Sequence, residues 1–263
     1  MECLDLKTRA MVAIMSCLIS FTTVGYAAND KTLSITDAAA ASLPTMVQSS
    51  YKVYRGGMLV GTIDEKFERF VDPDNGGERY KITSTTRADG PIALFYRDQI
   101  QYTSEGRISA SGLLPLVFSS SQKNDTSRNF ITRFYWAKNE MVREHQSGGR
   151  IEQETFDLPV GTQDRLSAMY QFMVTLPRGQ SISTLMTQGK NAEKYIYLKQ
   201  GEPKLNTSAG DFETIHYVRD VKPGESKAQM WLVKTKSHVP VRIIFEDKKG
   251  VALEQTLIDL VIQ

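Results

Sequence analysis

The segment Tyr51-Lys52-Val53-Tyr54-Arg55-Gly56-Gly57-Met58-Leu59-Val60-Gly61-Thr62-Ile63 carries a period-two pattern on both sides of a glycine pair. Successive strand side chains point to opposite faces, so this pattern predicts a β-hairpin with one buried and one solvated face. The second arm runs on through Phe67 and Phe70. Asp72-Pro73-Asp74-Asn75-Gly76-Gly77 then reverses the chain, because proline presets one dihedral and Asn-Gly tolerates positive φ. Tyr80 to Thr86 resumes the alternation as a third strand.

Outward from this hairpin the same signal recurs at Ile92 to Tyr96, Ile100 to Ser104, Phe130 to Trp136, Glu140 to His145 and Arg150 to Phe156. Turns are expected at Asp89-Gly90, Glu105-Gly106 and Ser147-Gly148-Gly149. The last third gives strands at Lys194 to Leu198, Phe212 to Val218, Lys227 to Lys234, Val241 to Glu246 and Val251 to Ile262, the final pair joined at Lys248-Lys249-Gly250. One segment departs from period two. Across Gln163 to Val174, Leu166, Met169, Tyr170 and Met173 fall at i, i+3, i+4 and i+7, which predicts an amphipathic helix. Thr162 or Asp164 can cap its first turn, and Pro177 and Gly179 close it. No repeat and no proline- or glycine-serine-rich linker interrupts the pattern, so residues 46–263 read as one mainly β domain with an antiparallel sheet and one main α-helix. Residues 28–45, with Ala38 to Ala41 and Pro44, read as a flexible leader or one short helix.

Residues 1–27 have the layout of a secretory signal. Lys7 and Arg9 precede an uncharged run from Ala10 to Val24, which ends at Gly25-Tyr26-Ala27 with small residues at the expected cut. Ser16, Ser20, Thr22 and Thr23 leave the run short of a spanning helix. Export to the periplasm with cleavage is therefore expected. Lipidation at Cys17 after Ile14-Met15-Ser16, or retention as an uncleaved anchor, are the lesser alternatives. Both cysteines, Cys3 and Cys17, lie in this segment, so the processed chain would hold no thiol and must be stabilised by burial rather than disulfides.

Lys plus Arg number 32 against 30 Asp plus Glu, a net charge of +2 that offers no phosphate-binding surface and argues against a nucleic-acid partner. His145, His216 and His238 show no metal-ligand spacing, so no metal and no cofactor is expected. No Gly-x-Ser-x-Gly elbow, phosphate-binding loop or His-Glu-x-x-His motif is present. The carboxylate pairs Asp64-Glu65 and Glu152 with Glu154 could in principle do acid and base work but read as strand-face residues. Asp164 and Ser167 read as helix caps rather than as a nucleophile and its partner. Trp136, Tyr170, Tyr195, Phe212 and Trp231 are the candidate ligand-binding residues: they either fill an ordinary core or line an apolar cavity between a curved sheet and the helix.

Several stretches together resemble the exported proteobacterial domain-of-unknown-function family 3108. They are Gln163-Asp164-Arg165-Leu166-Ser167-Ala168-Met169-Tyr170-Gln171, Gly210-Asp211-Phe212-Glu213-Thr214, and Trp231 followed by Val239-Pro240-Val241-Arg242-Ile243. Tyr51 to Tyr54 with Gly57 and Gly61, Ser104-Glu105-Gly106, Leu114-Pro115 and Phe118 fit the same pattern. The resemblance implies a large antiparallel sheet curled into an open or half barrel, similar in kind to the lipoprotein carriers LolA and LolB, and brings no catalytic residue. The expected function is non-enzymatic: binding a lipid, acyl chain or other apolar ligand in support of the cell envelope. An envelope scaffold that binds another protein or the cell wall is the alternative, and a hydrolase with an unrecognised site the second.

Overall fold

A computed structural model describes residues 43–263 apart from 75, 95–97, 110, 148, 176–178 and 235–237. The expected signal segment and most of the leader lie outside the described residues. Sixteen strands and one α-helix make up the described fold. The first eight strands are β1 (Met46–Arg55), β2 (Met58–Val71), β3 (Glu78–Ala88), β4 (Gln99–Ser109), β5 (Gly112–Gln122), β6 (Phe130–Tyr135), β7 (Glu140–Ser147) and β8 (Arg150–Asp157). After β9 (Thr162–Asp164) comes helix α1 (Ser167–Val174), followed by β10 (Ser181–Thr187), β11 (Ala192–Gly201), β12 (Lys204–Thr207), β13 (Gly210–Arg219), β14 (Lys227–Val233), β15 (Pro240–Glu246) and β16 (Ala252–Ile262).

The sheet is one long, open antiparallel ribbon. Its order is β8-β7-β6-β5-β4-β3-β2-β1-β16-β15-β14-β13-β11-β10-β9, with β12 beside β13. The last strand pairs with the first, which places the opening hairpin at mid-sheet and leaves β8 and β9 as the two ends. Among the described strands only β9 and β10 run parallel.

Several expectations are corrected. Residues Gly90–Leu94 form a 3-10 turn, not the start of a strand, since Gly90 takes φ 65° and Pro91 cannot donate a ladder hydrogen bond. Glu105-Gly106 is not a turn but continues β4, facing a bulge at which β5 carries the extra residue Leu116. A Cβ on Gly106 would collide with the Leu114 carbonyl and the Tyr80 ring, so glycine serves close approach there. Strand β5 escapes the sequence reading because Pro115 and the serine run Ser119 to Ser121 weaken its strand signal. Pro115 is tolerated because it sits at that same bulge. Strands β10 and β12 are also additional to the expected set.

The helix starts later than the periodicity predicts: Thr162–Asp164 is a strand, and α1 spans eight residues. It is not amphipathic in use. Ser167, Ala168, Tyr170, Phe172, Met173 and Val174 are all buried, because the sheet wraps both sides of it. Leu166, Tyr170, Met173 and Val174 join the core formed by Phe67, Ile82, Phe118 and Met141. Ala168 and Phe172 join a second core, with Tyr197, Tyr217, Met230 and Leu232. Met169 touches both. The helix is thus a plug between the two halves of the curled sheet.

Candidate functional site

The register of the first five strands aligns a polar row across the inner face: Ser49 opposite Glu65, Glu65 opposite Ser84, Ser84 opposite Tyr102, and Tyr102 opposite Ser120. Strand alternation separates the Asp64-Glu65 pair. Asp64 turns to the outer face, where it meets Ser50 and Arg87, while Glu65 points inward. Ser84 donates to Glu65 Oε1 at 3.1 Å, and the Tyr170 hydroxyl reaches Oε2 at 3.4 Å. Removal from water raises the Glu65 pKa, partly offset by the Ser84 hydrogen bond and the nearby Arg165 charge. The same desolvation, with Glu65 beside it, pushes the Tyr170 hydroxyl well above its ordinary value.

A second polar group fixes the helix beneath this row. Ser104 donates to Asp164 Oδ2 at 2.5 Å, and the backbone N–H groups of Leu166 and Ser167 donate to Oδ1 at 2.8 and 2.9 Å. Asp164, Ser104 and Ser167 are each fully buried. Burial raises the Asp164 pKa against these hydrogen bonds. A serine beside a carboxylate is a nucleophile's pairing, yet here both groups are sealed from solvent and the carboxylate is occupied in starting the helix. Capping by Asp164 is what the geometry supports.

The five aromatic candidates are not brought to one place. Trp136 and Tyr170 border the same core, Trp136 donating to the Pro115 carbonyl at 2.7 Å and stacking on Phe134, while Tyr170 stacks on Phe67 at 5.5 Å. Tyr195 belongs to the second core, with the Arg219 guanidinium over its ring, and its hydroxyl donates to Glu193. Phe212 packs near Tyr51 and Leu257. Trp231 stacks on His216 with ring centroids 4.1 Å apart and has Arg242 on it as well. Of the five, only Tyr170 reaches the polar row. Sequence reasoning passed over Ser49 and Arg165. The one available signal was their position: Ser49 shares a strand face with Tyr51 and Val53, and Arg165 directly precedes the helix.

His145 lies 3.8 Å from both Glu152 and Glu154, a closeness that antiparallel pairing of β7 with β8 creates and linear spacing hides. Among the described residues no three His, Cys, Asp or Glu side chains converge as a metal site.

The polar row from Glu65 to Ser120, the capped helix and the bulge opposite Gly106 fall within one family pattern that matches residues 50–257, described as protein of unknown function DUF3108. The chain belongs to this family. No functionally curated protein matches the DUF3108 chain. Among solved structures it is similar to a β-barrel-like protein of unknown function DUF1849 from Brucella abortus, at 9% identity and TM-score 0.49, covering 84% of this chain and 99% of that one. It is also similar to a candidate lipoprotein from Parabacteroides distasonis, at 11% identity and TM-score 0.35, with 83% and 97% covered. A third similarity is to a candidate exported protein with a YmcC-like fold from Bacteroides fragilis, at 10% identity and TM-score 0.36, with 83% and 96% covered.

Proposed function

We propose that this DUF3108 chain is an exported, non-enzymatic periplasmic protein whose open inner face holds an apolar or amphipathic ligand, such as a lipid or acyl chain, in support of the cell envelope. The signal-like layout of residues 1–27 supports export. The observation that carries the ligand reading is the composition of the inner face beyond the packed core. Ile63, Met169, Ile182, Ile243 and Phe245 pack against the buried clusters yet remain partly exposed, and Glu65 on the same face is partly exposed too. Apolar surface left open on a concave, inward face, next to a small number of polar groups, is how binding sites for apolar molecules are built.

Native mass spectrometry of the protein purified gently from the periplasm tests this. A retained or exchangeable lipid is the expected result, with retention reduced by Phe245→Asp. A protein that never carries or exchanges lipid would overturn the reading. The alternative of an interaction scaffold draws support from β8, which ends the sheet, pairs only with β7 and is exposed along most of its length. Crosslinking in intact cells that captures one discrete partner through β8, without lipid, would favour it.

A further inference from the structure

We propose that Arg165, with Ser49 and Glu65 beside it, is the polar end of the ligand site and recognises a singly charged carboxylate on a long-chain ligand, as in a free fatty acid. This rests on the ligand reading above and adds the chemical class of the headgroup. Arg165 sits in the turn between β9 and α1 and lays its guanidinium over the inward-facing Tyr102 ring, 4.4 Å from the centroid. It is partly exposed, and among the described residues it forms no ion pair and no hydrogen bond. A planar guanidinium steadied on an aromatic face keeps its N–H fork free for a planar, bidentate acceptor, and carboxylate matches that fork.

Ser49 gives an independent indication. Its side chain is 1% exposed, directly opposite Glu65 in the ladder, and its hydroxyl makes no well-formed hydrogen bond, although the Tyr51 and Tyr170 hydroxyls are near enough to interact with it. Buried hydroxyls are nearly always satisfied, so one without a well-formed partner opposite Glu65 marks the polar side of the site behind Arg165. Charge selects between headgroups. Among the described residues Arg165 is the cation that acts on Glu65, and burial favours the neutral form of that acid; with Glu65 protonated the one guanidinium balances one carboxylate, whereas a phosphate dianion would leave an unbalanced negative charge. The open apolar side chains Ile63, Met169 and Phe245 lie on the same inner face for the chain to follow.

Binding of decanoate, 1-decanol and acetate, measured at one pH by equilibrium dialysis, separates the possibilities. The wild-type protein is expected to bind decanoate at least tenfold more tightly than decanol and to bind acetate negligibly. Arg165→Gln should abolish that preference while decanol binding changes less than twofold, and the decanol arm also reports that the variant is folded. Arg165→Lys, which keeps the charge and loses the fork, should fall between. Equal binding of decanoate and decanol, or a preference that survives Arg165→Gln, would overturn the headgroup assignment and leave the apolar site standing. Failure of both ten-carbon probes to bind would overturn the two together. If Arg165→Gln binds neither probe while Arg165→Lys behaves as wild type in both arms, Arg165 is structural and the assignment fails.

Discussion

Asp164 accepts hydrogen bonds from Ser104, Leu166 and Ser167 in a place water does not reach. Asp164→Ala strands three buried donors and is expected to cost about 2–4 kcal/mol, while Asp164→Asn keeps an acceptor and costs less; urea unfolding at neutral pH measures both. Titration gives a second check. Burial raises the Asp164 and Glu65 pKa values in the folded state, so the folded form holds its protons longer than the unfolded chain. The stability they contribute is fully present below an unfolded carboxylate pKa of about 4 and is lost as pH rises through the raised folded values. Asp164→Asn is therefore expected to flatten the decline in stability above about pH 4. Burial lowers His238 and His216, which gives the opposite sign: their contribution is present above about pH 6.5 and lost as pH falls from there toward the lowered folded value. His238 adopts φ 49°, a region asparagine tolerates, so His238→Asn should keep the turn and reduce the loss of stability as pH falls below about 6.5.

Helix α1 contributes burial on every side rather than along one stripe. Phe172 inserts among Tyr197, Tyr217 and Met230, and Phe172→Ala should cost about 3–5 kcal/mol by denaturant unfolding, with much of it from the cavity left between helix and sheet. The turn after β10 is equally constrained. Gly189 has φ 92°, and a Cβ there would come within 2.7 Å of Arg143 Nη1 and Thr132 Oγ1. Gly189→Ala is expected to lower the melting temperature by several degrees, a shift on the order of 1–3 kcal/mol, because both the backbone conformation and the docking of this turn resist a side chain.

At the scale of the whole molecule, the sheet does not close by strand pairing among the described residues. Its β9–β10 end tucks against the inner face of β5 to β7, and side chains supply the hydrogen bonds that a ladder would otherwise make. Gln163 donates to the Leu113 carbonyl at 2.8 Å, and the Leu113 N–H donates to Gln171 Oε1 at 2.7 Å. Further along, Thr132 donates to the Gly189 carbonyl at 3.2 Å, and Arg143 reaches the Gln188 and Gly189 carbonyls while its guanidinium lies 3.8 Å from the Phe130 centroid. Replacing Gln163 and Gln171 together by Leu should leave the hairpins formed but loosen the seam. Hydrogen exchange is expected to quicken at Leu113 and its β5 neighbours while Phe67 and Ile82 in the mid-sheet stay protected. Uniform acceleration across the sheet would show instead that the seam is part of the global folding unit.

Local chemistry alone determined the β class, the opening hairpin at Gly56-Gly57, the last hairpin at Lys248-Lys249-Gly250 and the existence of a helix near residue 170, since period and turn residues act between near neighbours in sequence. The same information misassigned Glu105-Gly106 and passed over β5, because a bulge is defined by the partner strand and not by the strand that carries the glycine. Tertiary structure decided which of Asp64 and Glu65 faces inward, drew Ser104 to Asp164 across 60 residues, and wrapped sheet on both sides of a helix whose pattern predicts one buried face. It also dispersed the five aromatic candidates among separate clusters and left Arg165 open over Tyr102. Those outcomes depend on how far a sixteen-strand ribbon twists before its ends meet, a long-range sum of strand twists and bulges that no short window of sequence contains.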